Sequence, residues 1–258
     1  MSEGDAVCAR IAGALCEVER AEAVRVVLAV ESGSRAWGFP SRDSDWDVRF
    51  LYVRPLTAYL GVMPPRDSIE RPVMDGLDLG GWDLRKALGL LVRSNAAALE
   101  WLSSPIVYRR DEGVAAELAG VARVAAHRPA LEYHYDRLAR GAWPPADGAP
   151  AGIKALFYAL RPALALTWLR RVGTPVPMDV PSLMAGLALP PGLVEAITAL
   201  RACKAAGTEA DPAPPCPEVQ AFVTGVLAVR PERPPPWSKT AATAAADALF
   251  SRVVVQRV

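Results

Sequence analysis

Sulfur and imidazole ligands are scarce in this chain of 258 residues. It contains two histidines, His127 and His134, and four cysteines, at positions 8, 16, 203 and 216. Neither set has the paired spacing of a zinc site. Isolated thiols of this kind are typical of reduced proteins in a reducing compartment. We therefore expect free thiols and structural histidines rather than a zinc site or a disulfide framework.

Long apolar runs and a dominant charge are also missing. No stretch reaches the length that crosses a bilayer, and residues 1–5 do not resemble a secretory signal, so we expect a cytoplasmic protein. A formal net charge of +1 provides no overall attraction to nucleic acid. No aromatic-bearing RNA-binding sheet motif is present either, so any contact with RNA would need a local basic patch.

What the chain does contain is a polar segment between two strand-like runs. Residues 25–30 are mainly apolar and lead into Glu31-Ser32-Gly33-Ser34, and a second apolar run begins at Asp45-Trp46-Asp47. Because side chains alternate along a strand, Asp45 and Asp47 are predicted to point to the same side, about 6–7 Å apart. Two carboxylates that close repel each other unless a cation lies between them. A hard ion with oxygen ligands, Mg²⁺ above all, is the expected occupant.

The Gly33-Ser34 pair suits a phosphate. Glycine allows close approach to the backbone, and the serine hydroxyl can donate a hydrogen bond. The alternatives are an ordinary tight turn and solvated turn carboxylates, although Asp47 lies inside a strand run, where aspartate is disfavoured. A phosphate-binding turn beside an acidic pair is typical of phosphoryl or nucleotidyl transfer. The chain lacks the Gly-x-x-x-x-Gly-Lys loop of a metal-free phosphotransferase alternative.

These residues carry a family resemblance. Gly33-Ser34, a ten-residue gap and then Asp45-x-Asp47 resemble the active-site signature of the DNA polymerase β-like nucleotidyltransferase superfamily. Three further blocks resemble its branch of predicted nucleotidyltransferases associated with prokaryotic RNA repair. They read Gly-Trp-Asp-Leu-Arg-Lys at 81–86, Glu-Trp-Leu-Ser-Ser-Pro-Ile-Val-Tyr at 100–108 and Leu-Phe-Tyr-Ala-Leu-Arg-Pro at 156–162. The resemblance covers residues 25–170, with weaker likeness beyond.

The resemblance implies transfer of a nucleoside monophosphate from a nucleoside triphosphate to an acceptor hydroxyl, with Mg²⁺ or Mn²⁺ as cofactor. An RNA 3′ end is the implied acceptor. Asp45, Asp47 and a third carboxylate would be the catalytic, metal-binding residues. Asp78 alternates within an apolar strand, whereas Asp83 precedes a periodic helix, where aspartate is a frequent N-cap. We favour Asp78 and keep Asp83 as the alternative.

Nucleotide contacts are expected from basic and polar residues around these blocks. Arg49 is expected either to pair with Asp47 or to contact substrate. Lys154, Tyr158 and Arg161 fall at i, i+4 and i+7 of one helix and could close over the triphosphate or form a solvated face. The predicted nucleotide-binding residues are Gly33, Ser34, Arg35, Lys154, Tyr158 and Arg161. Candidates for an RNA-binding patch are Arg85, Lys86, Arg93, Arg161, Arg170 and Arg171.

The order of elements predicts an α+β fold. A nucleotidyltransferase domain over residues 1–110 would be followed by a helical domain over residues 111–258. Strands are predicted at 25–31, 46–53 and 73–79, and a long helix from Asp83 to Leu102. A small-molecule or protein acceptor and a non-catalytic nucleotide-binding module remain alternative functions, and the pattern leaves the oligomeric state open.

Overall fold

The computed structural model describes residues 3–143, 152–173 and 175–255. Its elements in chain order are α1 (Glu3–Glu22), β1 (Arg25–Ser32), α2 (Gly33–Ala36), β2 (Trp46–Val53), α3 (Leu56–Tyr59), β3 (Ser68–Glu70), β4 (Leu77–Asp83), α4 (Leu84–Val92), α5 (Ala96–Leu102), β5 (Val107–Arg110), α6 (Glu112–Ala125), α7 (Arg128–Ala142), α8 (Ile153–Arg171), α9 (Val180–Gly186), α10 (Pro191–Ala206), α11 (Pro217–Ala228) and α12 (Thr240–Val255). This mixed sheet with many helices confirms the predicted α+β class. None of the helices in the described ranges is long and apolar enough to cross a membrane.

The chain divides into two compact units that alternate along the sequence. The first unit comprises Met1–Ser32, Asp45–Ala126 and Trp237–Val258, and the second comprises Gly33–Ser44 and His127–Pro236. The sequence predicts instead a single boundary near residue 110. The predicted domains, residues 1–110 and 111–258, stay a prediction.

The first unit is built on a five-stranded sheet in the order β3-β4-β2-β1-β5. Strands β2 and β4 pair in parallel, and the other neighbours are antiparallel. Alternate positions along the strands face opposite sides, as strand geometry requires. One face packs apolar residues against α4, α5, α6 and α12, and the other packs against α1. The sheet therefore has two buried faces.

The second unit is helical, and α8 lies at its centre. Thirteen residues of α8 are buried, which explains why it is apolar on nearly all sides. Residues of α7, α9, α10 and α11 complete the core, and Phe39 from the segment Gly33–Ser44 stacks on Phe157 with ring centres 4.5 Å apart. That short segment thus belongs to the helical core, although it follows β1 directly in the chain.

The strand predicted at 73–79 has different limits. It begins at Leu77, because Asp75 and Gly76 form a turn with φ of 51° and 70°. It then continues through Gly80 and Gly81 to Asp83, beyond the predicted end at residue 79. A Cβ on Gly81 would lie 2.1 Å from the Phe50 ring, so glycine here permits close packing inside the strand.

The long helix predicted from Asp83 to Leu102 is two helices. Ser94 adopts a φ of 55°, which ends α4. The side chain of Asn95 then accepts a hydrogen bond from the Ala98 N–H at 3.0 Å and caps α5. Leucine periodicity continues across both helices, which is why the break is not evident in the pattern.

Candidate active site

Asp47 and Asp78 are opposite each other in the parallel pairing of β2 with β4. Arg49 joins them, because its Nη2 lies 3.3 Å from Asp47 Oδ1 and 2.7 Å from Asp78 Oδ2. The Arg49 side chain also donates to the Asp78 carbonyl at 3.1 Å. Of the two roles expected for Arg49, the salt bridge is thus observed. Two carboxylates of neighbouring strands share one cationic group.

The alternation of β2 explains this grouping. Asp47, Arg49, Leu51 and Val53 lie at alternate positions, so they share one face. Leu51 and Val53 are buried under the helices on that face, while Phe50 faces the other side, toward α1. Asp47 and Arg49 occupy the opposite end of the strand and are only partly buried. The polar end of one sheet face therefore holds the acidic residues.

Asp45 precedes β2 and is exposed. The backbone beside it is fixed by a 2.7 Å hydrogen bond from the Trp46 N–H to the Gly76 carbonyl. Its Oδ1 lies 3.5 Å from the position that a Cβ on Gly76 would occupy. A side chain at position 76 would thus contact the Asp45 carboxylate directly, and glycine leaves that space open.

Glu31 is an acidic residue beside this group that sequence reasoning did not single out. It is fully buried in β1. Its Oε1 accepts a hydrogen bond from the Asp47 N–H at 2.8 Å, and its Oε2 accepts one from the Tyr108 hydroxyl. The sequence feature that indicates this role is a glutamate at the end of an apolar strand, because a buried carboxylate requires hydrogen-bond donors. Glu31 ties the backbone of Asp47 to β5.

Asp83, the alternative third carboxylate, caps α4. Its Oδ1 accepts the Arg85 N–H at 2.8 Å, and its Oδ2 accepts the Tyr59 hydroxyl at 2.9 Å. It is five residues from Asp78 in β4, so the two side chains face opposite sides of the sheet. Burial raises the pKa of Asp83 above its ordinary value, although these hydrogen bonds oppose the shift. The helix cap expected as its alternative role is therefore observed.

The donor chemistry of Asp47 and Asp78 fits a hard divalent ion. Both supply carboxylate oxygens, and both already contact one positively charged group, Arg49. In the part of the chain that the structure describes, no three His, Cys, Asp or Glu side chains form a group arranged to hold a metal. The fit therefore rests on this carboxylate pair, while Asp45 precedes β2, is exposed, and stays a predicted ligand.

The Gly33-Ser34-Arg35 segment belongs to the second unit. Gly33 adopts a φ of 66°, in the left-handed region that favours glycine, where β1 ends and α2 begins. The buried Ser34 hydroxyl donates to Ser44 Oγ at 3.0 Å, and Arg35 donates to the Ser44 carbonyl at 2.7 Å. The segment is thus held as a closed turn by its own residues.

Lys154, Tyr158 and Arg161 differ in their surroundings, although they follow one another on α8. Lys154 is exposed, and its Nζ lies 2.5 Å from Glu209 Oε2. Tyr158 packs edge-on against Trp37, with ring centres 5.3 Å apart. Arg161 is 2% exposed, and its Nε donates to the Met178 carbonyl at 3.1 Å. A direct contact between Arg161 and a nucleotide would require it to leave this buried position.

Arg161 is also a candidate for the RNA-binding patch, and its burial places it in the helical core, whereas such a patch would lie on the surface. The Cζ of its guanidinium lies 5.4 Å from the centre of the Trp37 ring and 5.6 Å from that of Tyr135. The other candidates lie on α4, directly after it at Arg93, and at the end of α8, and they keep some exposure. Arg93 and Arg171 are exposed, while Arg170 donates to two backbone carbonyls of the second unit.

Comparison with known proteins extends the likeness. The family model described as the RNA repair pathway DNA polymerase beta family matches residues 7–252. The chain is also 44% identical over 203 residues to the uncharacterized protein YcgL of Bacillus subtilis (strain 168), and the alignment covers 78% of each chain. The family match includes segments of both compact units and reaches beyond the residues 25–170 on which the sequence resemblance was based.

Proposed function

Since the chain belongs to the RNA repair pathway DNA polymerase beta family, we propose that it is a metal-dependent nucleotidyltransferase. It transfers a nucleoside monophosphate from a nucleoside triphosphate to the 3′ hydroxyl of an RNA end. The observation that supports this most is the opposition of Asp47 and Asp78 across β2 and β4, with Arg49 shared between them. Two carboxylates that share one positively charged group are suited to bind a divalent ion in place of that group.

Asp45, Asp47 and Asp78 are the proposed ligands of Mg²⁺, with Mn²⁺ as the alternative ion. Such an ion, when bound, neutralises phosphate charge and lowers the pKa of the acceptor hydroxyl. Glu31 supports the arrangement, because its hydrogen bond to the Asp47 N–H fixes the start of β2. The fully buried position of Glu31 leaves Asp47 as the carboxylate available to a ligand.

The transfer forms one bond and breaks one. The acceptor oxygen bonds to the α-phosphorus of the triphosphate, the bond from that phosphorus to the β-phosphate bridging oxygen breaks, and pyrophosphate leaves. Asp78 is the proposed acceptor of the hydroxyl proton, because an ionised carboxylate can act as a general base within hydrogen-bond reach. Its Oδ2 lies 2.7 Å from Arg49 Nη2, and this contact orients the carboxylate.

The proposed phosphate contacts come from the family signature and from the start of α8. Gly33, Ser34 and Arg35 are assigned to the phosphates, and Lys154 to the charge that develops on pyrophosphate. Lysine serves well as a point charge for phosphate. Tyr158 is assigned a supporting contact, since Lys154 Nζ lies 5.8 Å from the centre of its ring. These assignments depend on the family signature and on the exposure of Lys154.

A transfer assay tests the proposal. Each labelled nucleoside triphosphate is incubated with Mg²⁺ and with 3′-hydroxyl RNA, DNA, cell protein or a small-molecule pool. We expect label on RNA, none on the same RNA with a 3′-deoxy end, and none with Asp47→Asn. Label found only on protein or on a small molecule would show that the acceptor is not RNA, and it would still support nucleotidyl transfer. Nucleotide binding without transfer to any pool would favour a non-catalytic module.

A further inference from the structure

Three serines of the segment Gly33–Ser44 form a connected hydroxyl group, here called the serine cluster: Ser34, Ser41 and Ser44. The Ser44 Oγ lies 3.0 Å from Ser34 Oγ and 2.8 Å from Ser41 Oγ, and all three residues are buried. The Ser41 N–H also donates to Ser44 Oγ at 3.0 Å. Several hydrogen-bond donors thus meet inside the second unit.

A carboxylate from the turn after α10 contacts this cluster. Glu209 Oε1 accepts from Ser44 Oγ at 3.3 Å, and Glu209 Oε2 accepts from Lys154 Nζ at 2.5 Å. The Glu209 N–H is held by Asp43 Oδ1 at 3.0 Å. One anionic group thus accepts hydrogen bonds from both a hydroxyl and an ammonium, as a phosphate oxygen pair would.

Lys204 on α10 carries a buried ammonium. The residue is 1% exposed, and its Nζ has no hydrogen-bond partner in the part of the chain that the structure describes. The Nζ lies 4.9 Å from the centre of the Phe39 ring and 6.0 Å from that of Phe157. Aromatic faces attract an ammonium, but a buried charge without a hydrogen bond remains unfavourable.

The charges around Lys204 come from the same group. Burial lowers the pKa of Lys204 below its ordinary value, and the charge of Lys154 adds to this, while Glu209 and Asp43 act in the opposite direction. Two lysines therefore act electrostatically on each other, with Glu209 as a carboxylate that interacts with both. An anion with more charge than one carboxylate would satisfy them better.

We propose that Lys204 is a second phosphate-binding lysine together with Lys154, and that Glu209 is an internal carboxylate that a polyphosphate displaces. The inference rests on the proposed function, which provides a nucleoside triphosphate as the natural polyphosphate. Glu209 can leave without moving a helix, because it lies in a turn between α10 and α11. Its departure removes the carboxylate contact from Lys154 and Ser44 and makes room for phosphate oxygens.

Binding of inorganic tripolyphosphate to the full chain, measured by calorimetry in EDTA, tests this without activity or metal. Lys204→Met should weaken binding roughly tenfold to a hundredfold, the range for losing a hydrogen bond to a charged group. Glu209→Gln should tighten it by roughly two- to fivefold, since a partly exposed ion pair no longer competes. Lys239→Met is the control, because that lysine lies over Trp237 in the first unit.

Lys204→Met should also raise the melting temperature, because methionine replaces a buried charge with an apolar chain of similar length. If Lys204→Met does not fold, the Glu209→Gln affinity decides. Wild-type affinity in both variants would overturn the inference, and so would equal losses in Lys204→Met and Lys239→Met. If wild type transfers nucleotide but both variants bind tripolyphosphate with wild-type affinity, the lysine site is refuted and the transfer proposal stands. The expected affinity changes without any transfer by wild type would support the anion site and refute the transfer proposal.

Discussion

Asp78 lies directly across from Asp47 in the parallel pairing of β2 with β4, and one guanidinium nitrogen contacts both carboxylates. Asp83, at the other end of β4, is paired with Tyr52 and caps a helix. The pairing register therefore distinguishes two aspartates that are only five positions apart in sequence. It makes Asp78 the carboxylate suited to share a cation with Asp47.

Changing each of these two aspartates to asparagine should have different effects. Asp78→Asn should lower the transfer rate by roughly 10²–10⁴-fold, because it removes a metal ligand and the proposed proton acceptor. Asp83→Asn should change the free energy of unfolding by less than about 1 kcal/mol, since asparagine is a comparable N-cap. Single-turnover rates and urea titrations of both variants make the comparison. Loss of transfer in Asp83→Asn with a normal rate in Asp78→Asn would reverse the assignment.

Asp47→Asn should abolish transfer while the protein stays folded. Wild type should show a higher melting temperature when Mg²⁺ and a nucleoside triphosphate are added, because a ligand that binds only the folded state stabilises it. The variant should lose most of that rise, since it lacks one proposed metal ligand. Thermal unfolding with and without ligand measures both. An equal rise in the two proteins would exclude Asp47 as a ligand.

Arg49→Met should make stability depend on divalent ions. Without the guanidinium, the carboxylates of Asp47 and Asp78 repel each other, so unfolding in EDTA should cost about 0.5–1 kcal/mol less than in wild type. Millimolar Mg²⁺ should recover much of the loss. Arg71→Met is the matched control, because Arg71 pairs with the carboxylate of Glu22. The same recovery in the control would show that the ion does not act on the Asp47–Asp78 pair.

Lys154→Ala should weaken binding of a nucleoside triphosphate more than binding of the corresponding monophosphate. The reason is that Lys154 is assigned to the phosphates that leave as pyrophosphate. Loss of one charge-assisted hydrogen bond should raise the dissociation constant of the triphosphate roughly tenfold. Titration calorimetry with both nucleotides provides the ratio, with Lys239→Ala as the control. Equal weakening for the two nucleotides would move Lys154 away from the pyrophosphate end.

RNA binding should weaken steeply as salt concentration rises. For a single strand, each phosphate contact contributes about −0.7 to the slope of log affinity against log salt. Arg93→Gln and Arg171→Gln, tested separately, should each reduce the slope by about that amount if the exposed arginine contacts a phosphate. Glu232→Gln, which changes an exposed acidic residue of the second unit, is the control. Affinity that does not change with salt would oppose an RNA acceptor.

Local pattern accounts for much of what the sequence predicts correctly. The strands near 25–31 and 46–53 and the helical second half have clear periodicity, and strand or helix geometry follows from neighbouring residues. The break at Ser94 and the shifted limits of β4 were not predictable in this way. Both depend on single backbone conformations and on the contact between Gly81 and the Phe50 ring.

By itself, the sequence determined the α+β class, the family resemblance and the choice of Asp45, Asp47 and Asp78 as acidic candidates. Only the tertiary structure decided that Arg49 joins Asp47 to Asp78, that Glu31 holds the Asp47 backbone and that Lys204 is buried near aromatic rings. The physical reason is the separation along the chain over which each effect acts. Alternation and helical spacing act between near neighbours in the chain, whereas strand register and core packing bring together residues that are far apart in it.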